Sequence, residues 1–122
     1  MKTIKLLFAS VITLIAVHSV NAQTGKETIL DHSTTQTVKV YGECGMCKKR
    51  IEKAASTVEG VQSASWNEDS KVLTVKYDLF TKETMDSVQR KIAAAGHDTE
   101  KYKADNAVYQ KLPDCCHYQR KQ

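Results

Sequence analysis

Apolar and polar residues alternate in three short stretches of the chain, at 37–41, 61–66 and 71–77. Alternation with period two is typical of a strand with one buried face, so each stretch is predicted to be a β-strand. The polar residues 67–70 separate the second strand from the third and predict a tight turn. A weaker and more polar stretch at 97–103 is predicted to form a last, short strand.

Two other stretches repeat apolar residues at helical spacing. The first helix is predicted from Cys47 to Gly60, and the second from Thr81 or Thr84 to Gly96. Their apolar stripes consist of Ile51, Ala54, Ala55 and Val58 in the first helix and of Met85, Val88, Ile92 and Ala95 in the second. A glycine just after the last periodic residue is a common helix stop, so both ends are marked in the sequence.

The order strand, helix, strand, strand, helix, weak strand predicts an α+β protein with a ferredoxin-like βαββαβ fold. Two helices are expected on one face of a four-stranded antiparallel sheet. A right-handed crossover makes the second strand parallel to the first, with the third strand between them. The predicted domain covers residues 37–103, and residues 104–122 form a Cys-bearing C-terminal extension.

The first 22 residues are typical of a secretory signal peptide. Lys2 and Lys5 give it a positive start, an apolar run follows at 6–17, and the small or short residues at 20–22 fit a cleavage site. The run is too short to cross a bilayer, which needs roughly 20 apolar residues, so no stable membrane insertion is expected after cleavage. The mature protein is therefore predicted to be exported, to the periplasm or outside the cell, with a flexible polar arm at 23–36.

Composition and charge exclude several classes of protein. With 41% apolar and 26% charged residues the chain is an ordinary globular protein, neither disordered nor fibrous. The formal net charge of +4 includes Lys2 and Lys5, and without them it falls to +2. Nucleic acid is therefore not an expected partner, because nucleic-acid binding needs a strong basic patch.

Four cysteines remain to be explained: Cys44, Cys47, Cys115 and Cys116. In an exported protein the simplest interpretation is two disulfides. Cys115 and Cys116 are adjacent, and a bridge between adjacent cysteines is strained. Bridges that join the first two cysteines to the last two stay open, and a metal site that gathers the thiolates fits the same count without strain.

Cys44-Gly45-Met46-Cys47 lies between the first predicted strand and the first predicted helix. Two sulfurs at this spacing reach one ion, and the partial positive charge of the helix N-terminus stabilises thiolates. Thiolates select soft or borderline ions, so Cu(I), Hg(II), Zn(II) and Cd(II) are candidates. Cu(I) is favoured because two thiolates satisfy it, as they satisfy Hg(II), whereas Zn(II) needs two further ligands.

Three cationic residues, Lys48, Lys49 and Arg50, follow the second cysteine. Near the metal they would favour a bis-thiolate Cu(I) site with its net negative charge. As a group they would also present a docking face for an acidic partner. The alternative is a solvated basic turn, which is the usual state of exposed charge.

Three further side chains are candidate ligands. Met46 offers a thioether, although a loop methionine more often packs into the core. His97 follows the second helix, at the end of the sheet where the cysteine loop is expected, and is a candidate ligand or supporting residue. His117 follows the tail cysteines and adds an imidazole to them.

The C-terminal tail, with a further helix predicted at 104–112 before Pro113, ends in Asp114-Cys115-Cys116-His117. From residue 103 to Cys115 the chain can span about 40 Å when extended, enough to return across a small domain. Three interpretations stay open. The tail cysteines form a lid that completes a three- or four-thiolate site, or a separate second site, or crosslinks between chains.

The cysteine loop and the order of elements resemble the heavy-metal-associated domain family, over about residues 37–103. This family includes soft-metal chaperones, periplasmic mercury-binding proteins and N-terminal modules of metal-pumping ATPases. The resemblance implies Cys44 and Cys47 as the two metal ligands. It also implies a metal-transporting membrane protein or another metallochaperone as partner.

One departure from the family pattern concerns the residues before the first cysteine. The family usually has Gly-Met-x there, with the methionine packed under the loop, whereas this chain has Tyr41-Gly42-Glu43. An acidic residue beside the first cysteine resembles the zinc and cadmium branch more than the copper branch. The departure bears on which metal is bound rather than on the site.

The sequence therefore predicts an exported metal-binding protein, a metallochaperone or scavenger and not an enzyme, that captures Cu(I) and passes it on. The alternative is a thiol–disulfide oxidoreductase with Cys44 as nucleophile and Cys47 as resolving thiol. The thioredoxin layout has another strand order and typically a cis-proline facing the thiols, and the only proline here is Pro113. A third class is an interaction domain stapled by disulfides.

Overall fold

A computed structural model of the chain describes residues 30–122. The predicted signal peptide, and the part of the predicted arm before residue 30, lie outside the described residues. The elements in chain order are β1 (Ser33–Lys39), α1 (Gly45–Ser56), β2 (Val61–Trp66), β3 (Val72–Asp78), α2 (Thr84–Ala94), α3 (Asn106–Gln110) and a 3-10 turn (Asp114–Cys116).

The sheet has the strand order β1-β3-β2, and both pairs of neighbours are antiparallel. Val75 at the centre of β3 lies opposite Gln36 of β1 and opposite Ala64 of β2. The side chain of Asn67 makes the hairpin between β2 and β3, because its carbonyl oxygen accepts hydrogen bonds from the N–H groups of Asp69 and Ser70. The predicted place of the third strand between the other two is confirmed.

The core lies where the sheet meets α1 and α2. Alternate strand residues and the apolar stripes of both helices are buried there together, as their spacing predicts. Its members include Val38, Val40, Leu73 and Val75 from the strands and their extensions, Cys47, Ile51 and Ala55 from α1, and Val88 and Ile92 from α2. Cys47 is therefore a core residue as well as part of the cysteine loop.

The prediction of a fourth strand at 97–103 is wrong, since the sheet within residues 30–122 has three strands. The segment makes one isolated bridge, between Thr99 and Val40. The Thr99 N–H then bonds to the Tyr102 carbonyl at 2.7 Å, and the Asp98 carboxylate accepts from the Ala104 N–H at 2.7 Å. These local hydrogen bonds turn the chain away from the sheet edge, because polar side chains compete with the ladder for backbone groups.

Other predicted boundaries also change. β1 begins at Ser33, inside the predicted arm 23–36, because its polar residues pair with β3 as far as Asp78. α1 begins at Gly45, two residues before the predicted start. The helix predicted at 104–112 is reduced to the five residues of α3, whose first turn is capped by the Asp105 carboxylate.

Trp66, at the end of β2, lies directly beneath the cysteine loop and is 1% exposed. Its indole N–H donates to the Val40 carbonyl at 3.0 Å, and its backbone N–H donates to the Glu52 carboxylate of α1 at 2.9 Å. A Cβ on Gly42 would come within 2.9 Å of the Trp66 ring and 3.1 Å of the Cys47 Cβ. The indole thus occupies the space under the loop, and only glycine fits above it.

Gly42→Ala is expected to lower the free energy of unfolding by about 1–3 kcal/mol, because the added methyl group overpacks a filled site. Gly45→Ala is the matched control, since a Cβ there would contact only a Glu68 carboxylate oxygen, at 3.5 Å. Urea unfolding of the reduced protein, followed by Trp66 fluorescence, measures both effects. Equal stability of the two variants would contradict the close packing described here.

Candidate metal centre

The cysteine loop places one sulfur on each side of the start of α1. Cys44 is the N-cap residue with an extended backbone, and Cys47 lies in the first turn. Their sulfur atoms are 3.6 Å apart. Cys47 is buried and Cys44 is half-buried, so the pair lies at the boundary between core and solvent.

The C-terminal tail brings the other two cysteines to the same place. The Cys44 sulfur lies 3.2 Å from that of Cys115 and 3.6 Å from that of Cys116. The sulfurs of the two tail residues are 4.0 Å apart. All four cysteines are free thiols. We call these four residues the sulfur cluster, and Cys44 lies at its centre.

The Met46 sulfur lies beside this cluster, 3.4 Å from the Cys115 sulfur. Its side chain is exposed rather than packed in the core. Met46 is therefore placed where a thioether could assist in binding a soft ion, at the solvent side of the cluster.

The two candidate histidines lie apart from the sulfurs. Within residues 30–122 the group of side chains that could hold a metal ion consists of Cys44, Cys115 and Cys116, whose sulfurs lie within 4.8 Å of one another. His97 is fully buried, its Nδ1 donates to the Tyr41 carbonyl at 2.8 Å, and its ring stacks on Tyr118 at 5.3 Å between centroids. Burial lowers the pKa of His97 and thus favours the neutral ring. His117 is exposed, with its ring beside that of Tyr109. The structure gives His97 a role in supporting the loop.

Of the three cations after Cys47, Lys48 has other contacts than Lys49 and Arg50. The Lys48 ammonium bonds to the Glu52 carboxylate and to the Trp66 carbonyl, both at 2.6 Å, so it supports α1 rather than the sulfurs. Lys49 and Arg50 border a shallow surface depression together with Met46 and Lys53. This depression puts positive charge beside the cluster.

The thiols of the cluster have different acidities. Burial would raise the pKa of Cys44, but a hydrogen bond from the Cys47 N–H and hydrogen bonds with the thiols of Cys115, Cys116 and Cys47 lower it from 9.0 to about 7. The Cys44 hydrogen bond and burial raise the pKa of Cys115, and burial followed by hydrogen bonds to Cys47 and Cys44 raises that of Cys116. Of Cys44, Cys115 and Cys116, Cys44 is therefore the thiol that ionises most readily in the metal-free protein.

Such a cluster is suited to soft cations. Its donor atoms are all sulfur, and a thiophilic ion would replace the protons that the thiols share. Two of these sulfurs satisfy linear Cu(I) or Hg(II), and four satisfy tetrahedral Zn(II).

Sequence reasoning identified the sulfurs but missed the residues that hold the tail beside them. Asp98 lies in the segment predicted as a strand, and Arg120 received no role. They form a buried ion pair with 2.7 Å between Asp98 Oδ1 and Arg120 Nη2. The one signal in the sequence is a tyrosine and an arginine shortly after the tail cysteines, which is too common a pattern to predict a contact.

Comparisons with known proteins match the part of the chain that carries the cysteine loop. A sequence model of the heavy-metal-associated domain matches residues 34–98. A 59-residue part of the chain is 36% identical to the heavy metal-associated isoprenylated plant protein 1 of Arabidopsis thaliana, covering 48% of this chain. The matched part covers about a quarter, 24%, of that relative's length.

Several solved structures resemble the domain, including the following two. The structure of a CopZ metallochaperone matches with a TM-score of 0.50 and 30% identity, over 54% of this chain and 98% of the other. A proposed copper-ion-binding protein from Bacillus anthracis str. Ames matches with a TM-score of 0.51 and 22% identity, over 56% and 96% of the two chains. The second likeness is evidence for the fold alone.

Within residues 30–122, none of the helices has the length and apolar character needed to cross a bilayer.

The acidity of the cluster can be measured on the reduced, metal-free protein. Thiolate absorbance in the ultraviolet is expected to rise in a first step near pH 7 from Cys44, with Cys115 and Cys116 ionising only above their ordinary range. Cys115→Ala removes a hydrogen bond that lowers the pKa of Cys44 and is therefore expected to raise this pKa. A first step that is unchanged in Cys115→Ala would contradict the contact between these two sulfurs.

Proposed function

Because this chain belongs to the heavy-metal-associated domain family, we propose that it binds a soft metal ion, Cu(I) before Hg(II) or Zn(II), through Cys44 and Cys47. The observation that carries the proposal is the pair of sulfurs 3.6 Å apart at the start of α1, with the Cys47 N–H directed at the Cys44 sulfur. The helix N-terminus and this N–H stabilise the thiolate form that a metal requires.

Cu(I) is favoured by the kind of donor atoms present. The donors that surround Cys44 are thiols, with one thioether at the edge, and the two histidines lie apart from the cluster. Sulfur ligands select Cu(I) over harder ions. The likeness to the CopZ metallochaperone is consistent with metal binding.

We further propose that the protein passes the ion to a metal-transporting membrane protein or to another metallochaperone. Transfer proceeds by ligand exchange: a partner thiolate forms a bond to the ion, one of the original sulfurs leaves, and the ion stays Cu(I) throughout. The partner thiolate can reach the ion from the side of the half-buried Cys44 and the exposed Cys115. The depression lined by Lys49, Arg50 and Lys53 gives an acidic partner a place to dock beside the sulfurs.

The proposal assigns no catalytic role to the chain, whereas the alternative function is thiol–disulfide exchange. One observation favours this alternative, since a cysteine with a pKa of about 7 is a competent nucleophile at neutral pH. An insulin reduction assay separates the two functions. Turnover by the metal-free protein that is lost in Cys44→Ser would favour the oxidoreductase.

The metal site is tested by titrating the reduced protein with Cu(I), against a chromophoric Cu(I) chelator, under anaerobic conditions. Cys44→Ser/Cys47→Ser is expected to abolish competition with the chelator, because both primary ligands are removed. Cys115→Ser/Cys116→Ser removes the same number of thiols and is expected to keep a Cu(I) site. Equal Cu(I) affinity of the wild type and the Cys44→Ser/Cys47→Ser variant would overturn the proposal.

We also propose that the protein is exported and that residues 1–22 are removed, which would place the thiols where disulfides form unless a metal protects them. Mass spectrometry of the protein recovered from its native cell envelope or medium tests this proposal. The expected mature chain begins at Gln23. A chain that keeps residues 1–22 would contradict it.

A further inference from the structure

The C-terminal tail, residues 104–122, lies outside the part of the chain that matches the family. The family match ends at residue 98, and the CopZ metallochaperone covers 54% of the chain. Yet residues 104–122 bring two of the four thiols to the sulfur cluster and bury one of them, Cys116, completely. What fixes the tail in this place decides whether its thiols are ligands.

A buried ion pair holds the end of the tail. The Asp98 carboxylate is fully buried and accepts hydrogen bonds from Arg120 Nη2 at 2.7 Å and Nε at 3.1 Å. The N–H groups of Ala104 and Lys121 donate to the same carboxylate at 2.7 and 3.0 Å. Asp98 thus receives donors from both ends of the tail, and a buried carboxylate needs such partners.

Tyr118 makes a second attachment. It is 2% exposed, and its hydroxyl accepts from the Asp98 N–H and donates to the Gly96 carbonyl, both at 2.8 Å. Its ring stacks on that of His97, which in turn bonds to the Tyr41 carbonyl just before the cysteine loop. We call Asp98, Tyr118 and Arg120 the tail clasp.

The end of α2 is shaped to receive the tail. Gly96 has a φ of +108°, and a Cβ there would come within 2.9 Å of the Leu112 side chain. Leu112 itself is 4% exposed. The helix stop at Gly96 therefore also makes room for the tail, and the tail is packed as part of the core.

We propose that the tail is a fixed wall of the metal centre, in which Cys115 and Cys116 join Cys44 and Cys47 as thiolate ligands and the tail clasp holds them there. The proposal rests on the proposed function and specifies its coordination: a soft ion bound by three or four sulfurs instead of two. Each ligating thiol releases its proton to solvent as the bond to the ion forms.

The two other roles considered for the tail cysteines fit the geometry less well. A separate site is disfavoured because both tail sulfurs lie within 3.6 Å of the Cys44 sulfur. A crosslink between chains through Cys116 is disfavoured because Cys116 has no exposed surface. A ligand role agrees with the positions of both tail cysteines, because both sulfurs lie beside that of Cys44.

The consequence is retention of the ion. An open two-sulfur site gives up its ion quickly to an incoming thiolate, whereas extra thiolates on a clasped tail must first be displaced. The protein is therefore expected to hold its metal more firmly than a domain without the tail, as suits sequestration or delivery to a partner that displaces the tail.

X-ray absorption of the full chain loaded with one equivalent of Cu(I) tests the ligand count. The wild type is expected to show three or four sulfurs, and Cys115→Ser/Cys116→Ser only two. The same sulfur count in both proteins would overturn the inference. If the wild type retained no Cu(I), the proposed function itself would fail, so the two failures are distinguishable.

The clasp is tested with variants that keep every cysteine. Tyr118→Phe and Arg120→Lys are expected to release Cu(I) to the chelator about 10- to 100-fold faster, the usual effect of losing a group that orients metal ligands. Lys111→Gln, at an exposed tail position, is the control. The X-ray absorption sulfur count, which a merely stabilising role would leave unchanged, is expected to fall in the clasp variants.

Folding is checked by urea unfolding, and Tyr118→Phe is the informative variant if Arg120→Lys is unfolded, because it removes one hydroxyl and keeps the ion pair. A folded Tyr118→Phe that releases Cu(I) at the wild-type rate with an unchanged sulfur count would show that the clasp does not position the ligands.

Discussion

The buried carboxylate of Asp98 is the constraint on which the arrangement of this protein depends. A charge without exposed surface must be paired and hydrogen-bonded, and removing one partner of such a pair typically costs about 3–5 kcal/mol. Its partners come from Ala104, Arg120 and Lys121, all beyond the matched domain. The chain therefore has to fold back across the end of the sheet, and this return places the tail cysteines beside the loop.

The sulfur cluster combines burial with one low pKa. Cys44 lies at its centre, and hydrogen bonds with the Cys47 N–H and with neighbouring thiols lower its pKa to about 7. The pKa values of the tail thiols, Cys115 and Cys116, are raised. The hydrogen bonds of the metal-free cluster thus favour a negative charge on Cys44 over one on Cys115 or Cys116. A soft cation supplies the same stabilisation more strongly, because it bonds to several thiolates at once. The fold thus brings the four thiols together without a metal ion.

The space beneath the loop shows how the domain compensates for its departure from the family pattern. Where the family usually has a methionine before the first cysteine, this chain has Gly42, and the Trp66 ring fills the volume under the loop. Lys48 and Glu52 then bind the backbone of Trp66 to α1. The loop is positioned by packing from β2 instead of by its own residues. Lys48, predicted to favour the metal site or to join a docking face, contributes to this packing.

The sequence by itself determined what local periodicity and motif spacing can encode: three strands, two helices, the order β1-β3-β2 and the cysteine pair at the start of α1. It also listed the tail cysteines as candidates without placing them. Only the tertiary structure decided that residues 97–103 leave the sheet and that Cys115 and Cys116 meet Cys44. These outcomes depend on contacts between residues far apart in the chain, such as Asp98 with Arg120. Side-chain hydrogen bonds of this kind leave no period in a sequence, whereas strands and helices do.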